Sequence, residues 1–251
     1  MPPHILLIIA GLDPSGGAGL AADIETAASL GVHPAPAVSL VTVQDTVNVQ
    51  RSEPLAPELV VAQAEAVLAD MPVAAIKLGA LGTAAIGTAV ADLLARHADI
   101  PVVCDPVLAA AGGGALAEAD LIVVYRERLF TASILATPNR AELTALAPED
   151  GASELLALGL PACLVTDGEG RGETVVNELH RASGIRLLEG GPRLPGSFHG
   201  SGCTLASAIA ARIALGDGLV EAIEAAGRFM ERALTQAFTP GKGQAIPGRW
   251  W

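Results

Sequence analysis

The chain has 251 residues, 51% of them hydrophobic, and a formal net charge of −12 at pH 7. A chain of this length can bury a large core as one α/β domain, and no apolar run reaches the roughly 20 residues that a membrane helix needs. The negative charge argues against nucleic-acid binding, which requires a dense basic face. We therefore expect one domain over residues 1–251, located in the cytoplasm, with no nucleic-acid or membrane partner.

Apolar segments of strand length alternate with segments of helical period along the chain. The predicted strands are residues 4–10, 35–43, 74–79, 101–107, 133–139, 161–166 and 173–179. The predicted helices are residues 19–31, 56–71, 83–98, 118–131, 140–147, 201–216 and 218–237. Continuous apolar strands separated by helices are typical of a parallel sheet covered on both faces. The class is α/β, doubly wound, and the glycine-rich turn after residue 166 predicts an antiparallel hairpin at one edge.

The loop after the first strand, GLDPSGGAG, is rich in glycine but does not match a known nucleotide-binding pattern. It is neither G-x-G-x-x-G nor a Walker A loop, so a nicotinamide enzyme and a P-loop enzyme are both excluded. Asp23 lies about one turn into the following helix, where its carboxylate can hydrogen-bond a ligand. Gln44 follows the second strand and can make a bidentate contact with a heterocycle. The alternatives are a solvated helix carboxylate for Asp23 and a loop-capping amide for Gln44.

Oxygen-bearing side chains follow two later strands, at the sheet edge where ligands bind in folds of this kind. Asp105 ends the strand in CDPV, while Asn139 and Glu142 stand in TPNRAE at the start of a helix. Such oxygen ligands suit Mg²⁺, which is usually held through waters and substrate phosphates. Asn139 and Glu142 also have the spacing of a capping box, and on spacing alone the cap is the stronger interpretation.

The segment GSGC, formed by Gly200, Ser201, Gly202 and Cys203, opens a long alanine-rich helix. Small residues and the unpaired amides of a first helical turn can cradle a phosphate; the alternative is a plain tight turn. The helix terminus is expected to lower the pKa of the Cys203 thiol, and the alternative is an inert buried thiol. The three cysteines are odd in number and lack C-x-x-C spacing, so neither a disulfide framework nor a zinc site is indicated.

Taken together, these loops resemble one family over almost the whole chain. The segments IAGLDPSGGAGLAAD, VQDT, IKLGALG, CDPV, TPNRAE, HGSGCTLASAIAARIALG and PGKGQAIPG are similar, in this order, to the hydroxymethylpyrimidine/phosphomethylpyrimidine kinases of thiamine biosynthesis. The resemblance implies a ribokinase-like three-layer fold, with a central, mostly parallel sheet and helices on both faces. It also implies transfer of the ATP γ-phosphoryl group, with Mg²⁺, to 4-amino-5-hydroxymethyl-2-methylpyrimidine and then to its monophosphate, by a homodimer.

The resemblance also assigns roles to individual residues. It implies that Cys203 meets the reacting hydroxyl, next to the cradle of Gly200, Ser201 and Gly202. The substrate-binding residues that it implies are Gly11, Asp23, Gln44 and Val107. The ATP- and phosphate-binding residues that we expect are Asn139, Glu142, Thr166 and Lys242, and the metal ligands are Asp105 and Glu142.

Two departures from the family pattern bear on the substrates. The family's phosphate-binding lysine is replaced by Thr166, followed by Asp167, and the compensating cations that we consider are Arg171 and Arg193. Ala80 stands where the family often has methionine against the pyrimidine ring. These departures leave two alternatives open: a pyridoxal kinase, and a homologue that binds the pyrimidine without efficient turnover.

Overall fold

A computed structural model describes residues 3–109, 116–168, 170 and 172–250. Part of the segment VLAAAGGG and Arg171 therefore lie outside the described residues. The strands are β1 (Ile5–Leu12), β2 (His33–Gln44), β3 (Val49–Pro54), β4 (Val73–Leu78), β5 (Val102–Cys104), β6 (Leu135–Ala136), β7 (Ala162–Val165), β8 (Thr174–Arg181) and β9 (Gly184–Pro192). The helices are α1 (Gly19–Ser29), α2 (Pro57–Asp70), α3 (Ala84–Arg96), α4 (Leu121–Val124), α5 (Arg140–Leu146), α6 (Ala152–Ala157), α7 (Ser201–Ala214) and α8 (Leu219–Thr235).

The strands form one mostly parallel sheet in the order β3-β2-β1-β4-β5-β6-β7-β8-β9. Six neighbouring strands pair in parallel: β2, β1, β4, β5, β6 and β7. β3 pairs antiparallel at one edge, and β8 and β9 pair antiparallel at the other. The predicted α/β class and the ribokinase-like architecture implied by the resemblance are confirmed.

Helices cover both faces because the central strands are apolar on both sides. In β1, Leu6 and Ile8 belong to one buried cluster, with residues of α1, α7 and α8. Leu7 and Ile9 belong to a second buried cluster, with residues of α2 and α3. This alternation follows from the period of two residues in a strand. The result is three layers, with the carboxyl ends of the parallel strands at one edge of the sheet.

The structure differs from the prediction mainly at the sheet edges. Three elements were not predicted: β3, β9 and the short α6. The sequence of β3 is polar and that of β9 contains glycines, because edge strands do not need two apolar faces. The predicted antiparallel pairing of β7 with β8 is present, but β9 lies outside it and forms the edge. The predicted helix 118–131 is α4 followed by a π-helical turn, Tyr125–Leu129. Within the described ranges, no helix is both long and apolar enough to cross a bilayer.

Candidate active site

A cavity of about 490 Å³ opens at the carboxyl ends of the parallel strands. It lies where β1, β2, β4 and β5 end and where α5 and α7 begin. The structure brings most of the predicted site residues into its wall: Gly11, Gln44, Asp105, Val107, Asn139, Glu142, Thr166, Gly200, Ser201, Gly202 and Cys203. Lys77 and His199, for which the sequence predicted no role in the site, also line it.

The start of α7 is shaped by contact with the glycine-rich loop. Gly200 is the N-cap residue and has φ +76°, a left-handed conformation that favours glycine. A Cβ on Gly200 would collide with the carbonyl oxygen of Gly17, and a Cβ on Gly17 would collide with the ring of His199. A Cβ on Gly202, by contrast, would meet no atom within 4 Å. The first-turn amides have no intrahelical acceptors, so they are available to an anion in the cavity.

Asp13 organises the glycine-rich loop from within. Its carboxylate accepts hydrogen bonds from the Ser15 amide at 2.8 Å and the Ala18 amide at 2.9 Å. His199 Nε2 lies 2.7 Å from Asp13 Oδ2 and 3.0 Å from Gln44 Nε2. Burial alone would raise the pKa of Asp13, but the hydrogen bonds from His199 and Ser15 outweigh it and hold that pKa below its usual value. The loop, the start of α7 and the end of β2 are thus joined through two buried side chains.

Lys77 lies at the floor of the cavity in a buried ionic cluster. Its Nζ is 3.0 Å from Asp23 Oδ2 and 3.8 Å from Asp105 Oδ2, and its side chain is fully buried. Burial alone would lower the pKa of Lys77, but the nearby acidic groups Asp23, Cys203 and Asp105 raise it above the usual value. Lys77 is therefore an ammonium ion shared by two carboxylates. The signal that could have identified it is a lysine within the otherwise apolar strand AAIKLG.

Two predicted site residues do not line the cavity in the described part of the chain. Asp23 is fully buried, and its second oxygen accepts a 2.6 Å hydrogen bond from Ser207. Its expected direct contact with a substrate is corrected to a role in holding Lys77. Lys242 is exposed, because its loop turns toward β2, where the Gly243 and Gln244 amides bind Thr46. Lys242 is therefore not part of the described cavity wall, and its contact with phosphate stays a prediction.

Cys203 lines the cavity, but its electrostatic environment is the opposite of the one predicted. Burial raises the pKa of its thiol to about 12. Lys77 acts to lower this pKa, whereas the carboxylates of Asp105 and Asp23 act to raise it. The prediction of a pKa lowered by the helix terminus was therefore wrong, and the thiol is protonated at neutral pH.

Asn139 and Glu142 form the capping box of α5 and also line the cavity. The Asn139 side chain accepts a hydrogen bond from the Glu142 amide, and Glu142 Oε2 accepts one from the Asn139 amide, both at 2.9 Å. The capping box is therefore confirmed, and the role of the two side chains as metal ligands stays a prediction. Thr166 lies beside them, paired with Asn139 in an isolated parallel bridge.

The acidic residue after Thr166 faces away from the cavity. The Asp167 carboxylate accepts a 2.6 Å hydrogen bond from Arg193 Nη2 and a 3.2 Å hydrogen bond from the Val176 amide. Arg193 also donates to the carbonyls of Asp167, Gly168 and Gly172. Neither residue is part of the described cavity wall. Arg193 therefore neutralises Asp167 and does not replace the missing lysine.

The two predicted metal ligands are not equivalent. The described residues contain no group of three His, Cys, Asp or Glu side chains arranged to hold a metal ion. The ammonium of Lys77 beside Asp105 repels a second cation, which argues against Asp105 as a direct ligand. Glu142 lines the cavity beside Asn139, and carboxylate and amide oxygens suit a cation that arrives with substrate phosphates.

Comparisons with known proteins agree with this geometry. A family model described as phosphomethylpyrimidine kinase matches residues 13–247. Hydroxymethylpyrimidine/phosphomethylpyrimidine kinases of Synechococcus elongatus and Escherichia coli are 37% and 33% identical to this chain, over 100% and 98% of it and over 99% and 98% of their own lengths.

Two solved structures have the same fold. An ADP complex of Bacillus subtilis pyridoxal kinase has a TM-score of 0.90 at 27% identity and covers 99% of this chain and 98% of its own. A phosphomethylpyrimidine kinase of Clostridium difficile has a TM-score of 0.78 at 27% identity and covers 92% of this chain and 99% of its own. With the family model and the full-length relatives, these matches establish that the chain is a phosphotransferase belonging to the phosphomethylpyrimidine kinase family.

Proposed function

We propose that this protein uses ATP to phosphorylate 4-amino-5-hydroxymethyl-2-methylpyrimidine and then its monophosphate, acting as a single kinase domain. The observation that carries the proposal is one cavity with Gln44 in its wall and with Cys203 and the amides of α7 beside it. An amide group for the ring and an anion cradle for the transferred phosphoryl group are the two recognition elements that such a substrate requires.

The pyrimidine end of the cavity is formed by Gly11, Gln44 and Val107. A Cβ on Gly11 would approach Leu40 Cδ1 to 2.8 Å, so glycine keeps this wall flat. Gln44 Oε1 accepts a 3.2 Å hydrogen bond from the Thr42 hydroxyl, and Gln44 Nε2 lies 3.0 Å from His199 Nε2. A fixed amide can donate to and accept from an aminopyrimidine, which supports Gln44 as the residue that orients the ring.

The nucleotide end is formed by Asn139, Glu142 and Thr166. The charged groups of the described wall are the carboxylates of Asp13, Asp105 and Glu142, together with Lys77, whose charge is already matched by carboxylates. The phosphate charge therefore requires a cation that arrives with the nucleotide. Glu142 and Asn139 are the residues that would hold Mg²⁺, which when bound neutralises developing charge on the phosphates.

The proton of the substrate hydroxyl needs an acceptor other than a preformed thiolate. Burial raises the pKa of Asp105, although Lys77 and the neighbouring thiol of Cys203 act against this rise. Asp105 Oδ2 has no hydrogen-bond partner in the described structure. We assign Cys203 as the group that contacts the hydroxyl and Asp105 as the base behind it: the thiol takes up the substrate proton as it passes its own proton to the carboxylate.

An assay of both reactions tests the function. Purified protein is incubated with MgATP and hydroxymethylpyrimidine or its monophosphate, and ADP and the phosphorylated product are quantified. We expect one ADP per product with both substrates, and no turnover when Mg²⁺ is chelated. Binding of the pyrimidine without any product would contradict the kinase assignment and favour the alternative of a binding protein.

Pyridoxal phosphorylation is the second candidate activity. Its support is the similarity to the Bacillus subtilis pyridoxal kinase, together with the small side chain of Ala80 in the cavity wall, which leaves room for a larger ring. The same assay with pyridoxal separates the two: a kcat/KM for pyridoxal above that for hydroxymethylpyrimidine would reverse the assignment.

The homodimer and the cytoplasmic location stay proposals as well. Exposed apolar side chains cluster on and after β2, with Val41, Val43 and Val47 exposed by 39%, 46% and 46%. Such a patch is typical of a contact with a second subunit. Light scattering coupled to size-exclusion chromatography is expected to give twice the monomer mass, and Val43→Asp should shift the mass toward the monomer.

A further inference from the structure

Arg249 is a fully buried arginine outside the cavity wall. Its guanidinium donates from Nε to Thr204 Oγ1 at 2.8 Å, from Nη1 to the Gly16 carbonyl at 3.4 Å, and from Nη2 to the Gly17 carbonyl. Its guanidinium also pairs with one carboxylate, that of Glu25, which lies 3.0 Å from Nη1. Burying such a charge is costly unless its donors are paired. The planar guanidinium is therefore used to hold several groups at once.

Arg249 fixes the orientation of two peptide groups in the glycine-rich loop. The carbonyl of one residue and the amide of the next belong to one planar unit and point in opposite directions. Arg249 binds the Gly16 and Gly17 carbonyls, while the amides of the same two peptide units donate to Ser15 Oγ at 3.3 Å and to Asp13 Oδ2 at 2.9 Å. Both peptide units are thus held from both sides.

The same guanidinium reaches Gly200 by two routes. One route is the Gly17 carbonyl, which packs directly against Gly200. The other is the Thr204 hydroxyl, which accepts from Arg249 Nε and donates to the Gly200 carbonyl at 2.8 Å. Gly200 is the left-handed N-cap from which the first-turn amides of α7 project. Its position is therefore coupled to Arg249 through backbone and side chain.

The segment that carries Arg249 is itself attached beside the cavity. The Gly243 and Gln244 amides bind Thr46, and the His199 amide donates to the Ala245 carbonyl at 2.8 Å. The Gly248 amide donates to the Ala233 carbonyl at 2.9 Å, and the Ser29 hydroxyl donates to the Arg249 carbonyl. Residues 243–249 are thus attached beside the site at several points, and the segment is buried from Ile246 to Arg249.

We propose that Arg249 is a positioning residue that sets the geometry of the anion cradle formed by the glycine-rich loop and the start of α7. The proposal rests on the proposed role of that helix start in phosphoryl transfer. Arg249 touches neither substrate, and its effect is transmitted through Gly17, Thr204 and Gly200. Its loss displaces the amides that meet the transferred phosphoryl group and leaves the pyrimidine contacts of Gln44 and Val107 in place.

Three variants test the proposal: Arg249→Lys, Arg249→Met and Glu25→Gln. Lysine keeps the charge but has a single nitrogen, which cannot bridge Thr204 and Gly17 as the guanidinium does. We expect kcat per folded molecule to fall at least tenfold in Arg249→Lys and further in Arg249→Met, with KM for the pyrimidine changed less than threefold. Glu25→Gln keeps the guanidinium and its loop contacts, so its kcat should fall less than threefold.

Arg212 is the matched control, because it lies on α7, the helix that Arg249 contacts through Thr204, and pairs with the carboxylate of Asp217 at 2.7 Å but does not line the cavity. Arg212→Lys and Arg212→Met should keep the wild-type kcat. Wild-type kcat in both Arg249 variants, or a loss explained by the folded fraction alone, would overturn the proposal. If Arg249→Met does not fold, Arg249→Lys decides.

Amide hydrogen exchange provides a readout that does not depend on catalysis. Exchange of residues 13–19 is expected to rise at least tenfold in Arg249→Lys, while exchange in α3 is unchanged. If wild-type protein has no kinase activity, the proposed function fails, and exchange alone decides whether Arg249 holds the loop. Unchanged exchange in residues 13–19 would then overturn the positioning role.

Discussion

The two ends of the cavity use charge in different ways. At the end near Cys203, the polar side chains are partnered within the protein: Lys77 forms ion pairs with Asp23 and Asp105, and Asp13 is hydrogen-bonded to His199. At the end near Thr166, Glu142 supplies a carboxylate to the described wall, and Arg193, outside the wall, is bound to Asp167. The first end is pre-organised by these contacts, whereas under the proposed function the second would depend on helix amides and on a cation supplied with the nucleotide.

The largest expected effect follows from breaking the ionic cluster at the pre-organised end. Lys77→Met leaves the buried carboxylates of Asp23 and Asp105 facing each other without a counter-ion, which costs about 3–5 kcal/mol of unfolding free energy. Chemical denaturation measures this loss. The control is Lys242→Met, because that lysine is exposed, and a change of more than about 0.5 kcal/mol there is not expected. Equal losses in both variants would show that the cluster is not stabilising.

The next effect concerns the reacting group at the same end. Cys203→Ser is expected to lower kcat about a hundredfold, in the range typical for loss of proton-transfer assistance, while the affinity for the pyrimidine stays within threefold. Steady-state kinetics and calorimetry measure the two quantities. Cys163→Ala, which removes a buried thiol outside the cavity wall, should keep the wild-type kcat per folded molecule. Unchanged turnover in Cys203→Ser would remove this thiol from the mechanism.

A smaller, tenfold effect tests the electrostatics of that thiol. Since burial raises the pKa of Cys203 to about 12, the thiolate fraction is lower than in a free cysteine and grows about tenfold per pH unit up to that value. The rate of iodoacetamide labelling at Cys203, followed by mass spectrometry, should therefore rise about tenfold from pH 8 to pH 9. A plateau near pH 7 or 8 would show instead that the helix terminus controls the thiol.

The smallest expected effect is a change in the KM for ATP when a cation is added at the nucleotide end of the cavity. Thr166→Lys restores a cation beside Asn139, where a partly exposed charge contributes about 0.5–1 kcal/mol. The KM for ATP should therefore fall two- to fivefold, with the KM for the pyrimidine unchanged. Thr235→Lys adds the same charge on α8, far from the cavity, and should change neither constant. An increase in the KM for ATP would mean that the nucleotide phosphates do not lie beside residue 166.

The sequence predicted the parallel strands and the start of α7 because both depend on local patterns: continuous apolar runs, and glycines before an alanine-rich segment. The burial of Asp23 could also have been predicted from a local pattern, namely its position in the helical period of α1. Asp23 stands three residues after Leu20 and four before Ala27, both buried in α1, so the helical period already places it on the buried face.

Other features could not be predicted from the sequence, because they depend on contacts between distant segments. The ion pair of Lys77 with Asp23 joins residues 54 positions apart, and the contacts of Arg249 with Gly16 and Gly17 span more than 230 positions. The pKa of Cys203 likewise depends on carboxylates brought to it by α1 and β5. Local reasoning identified the thiol and the helix terminus but not the surroundings that decide the charge of the thiol.

The glycines around the cradle differ in what they would tolerate over generations of random mutation. Gly17 and Gly200 press against other backbone or ring atoms, so almost any replacement would be removed because the protein no longer folds. Gly202 faces open space, so Gly202→Ala would accumulate normally in cells and be removed only where phosphorylation is needed for growth. A culture supplied with the end product of the pathway would therefore retain changes at all three glycines, but only Gly202→Ala would leave a normal amount of folded protein in the cells.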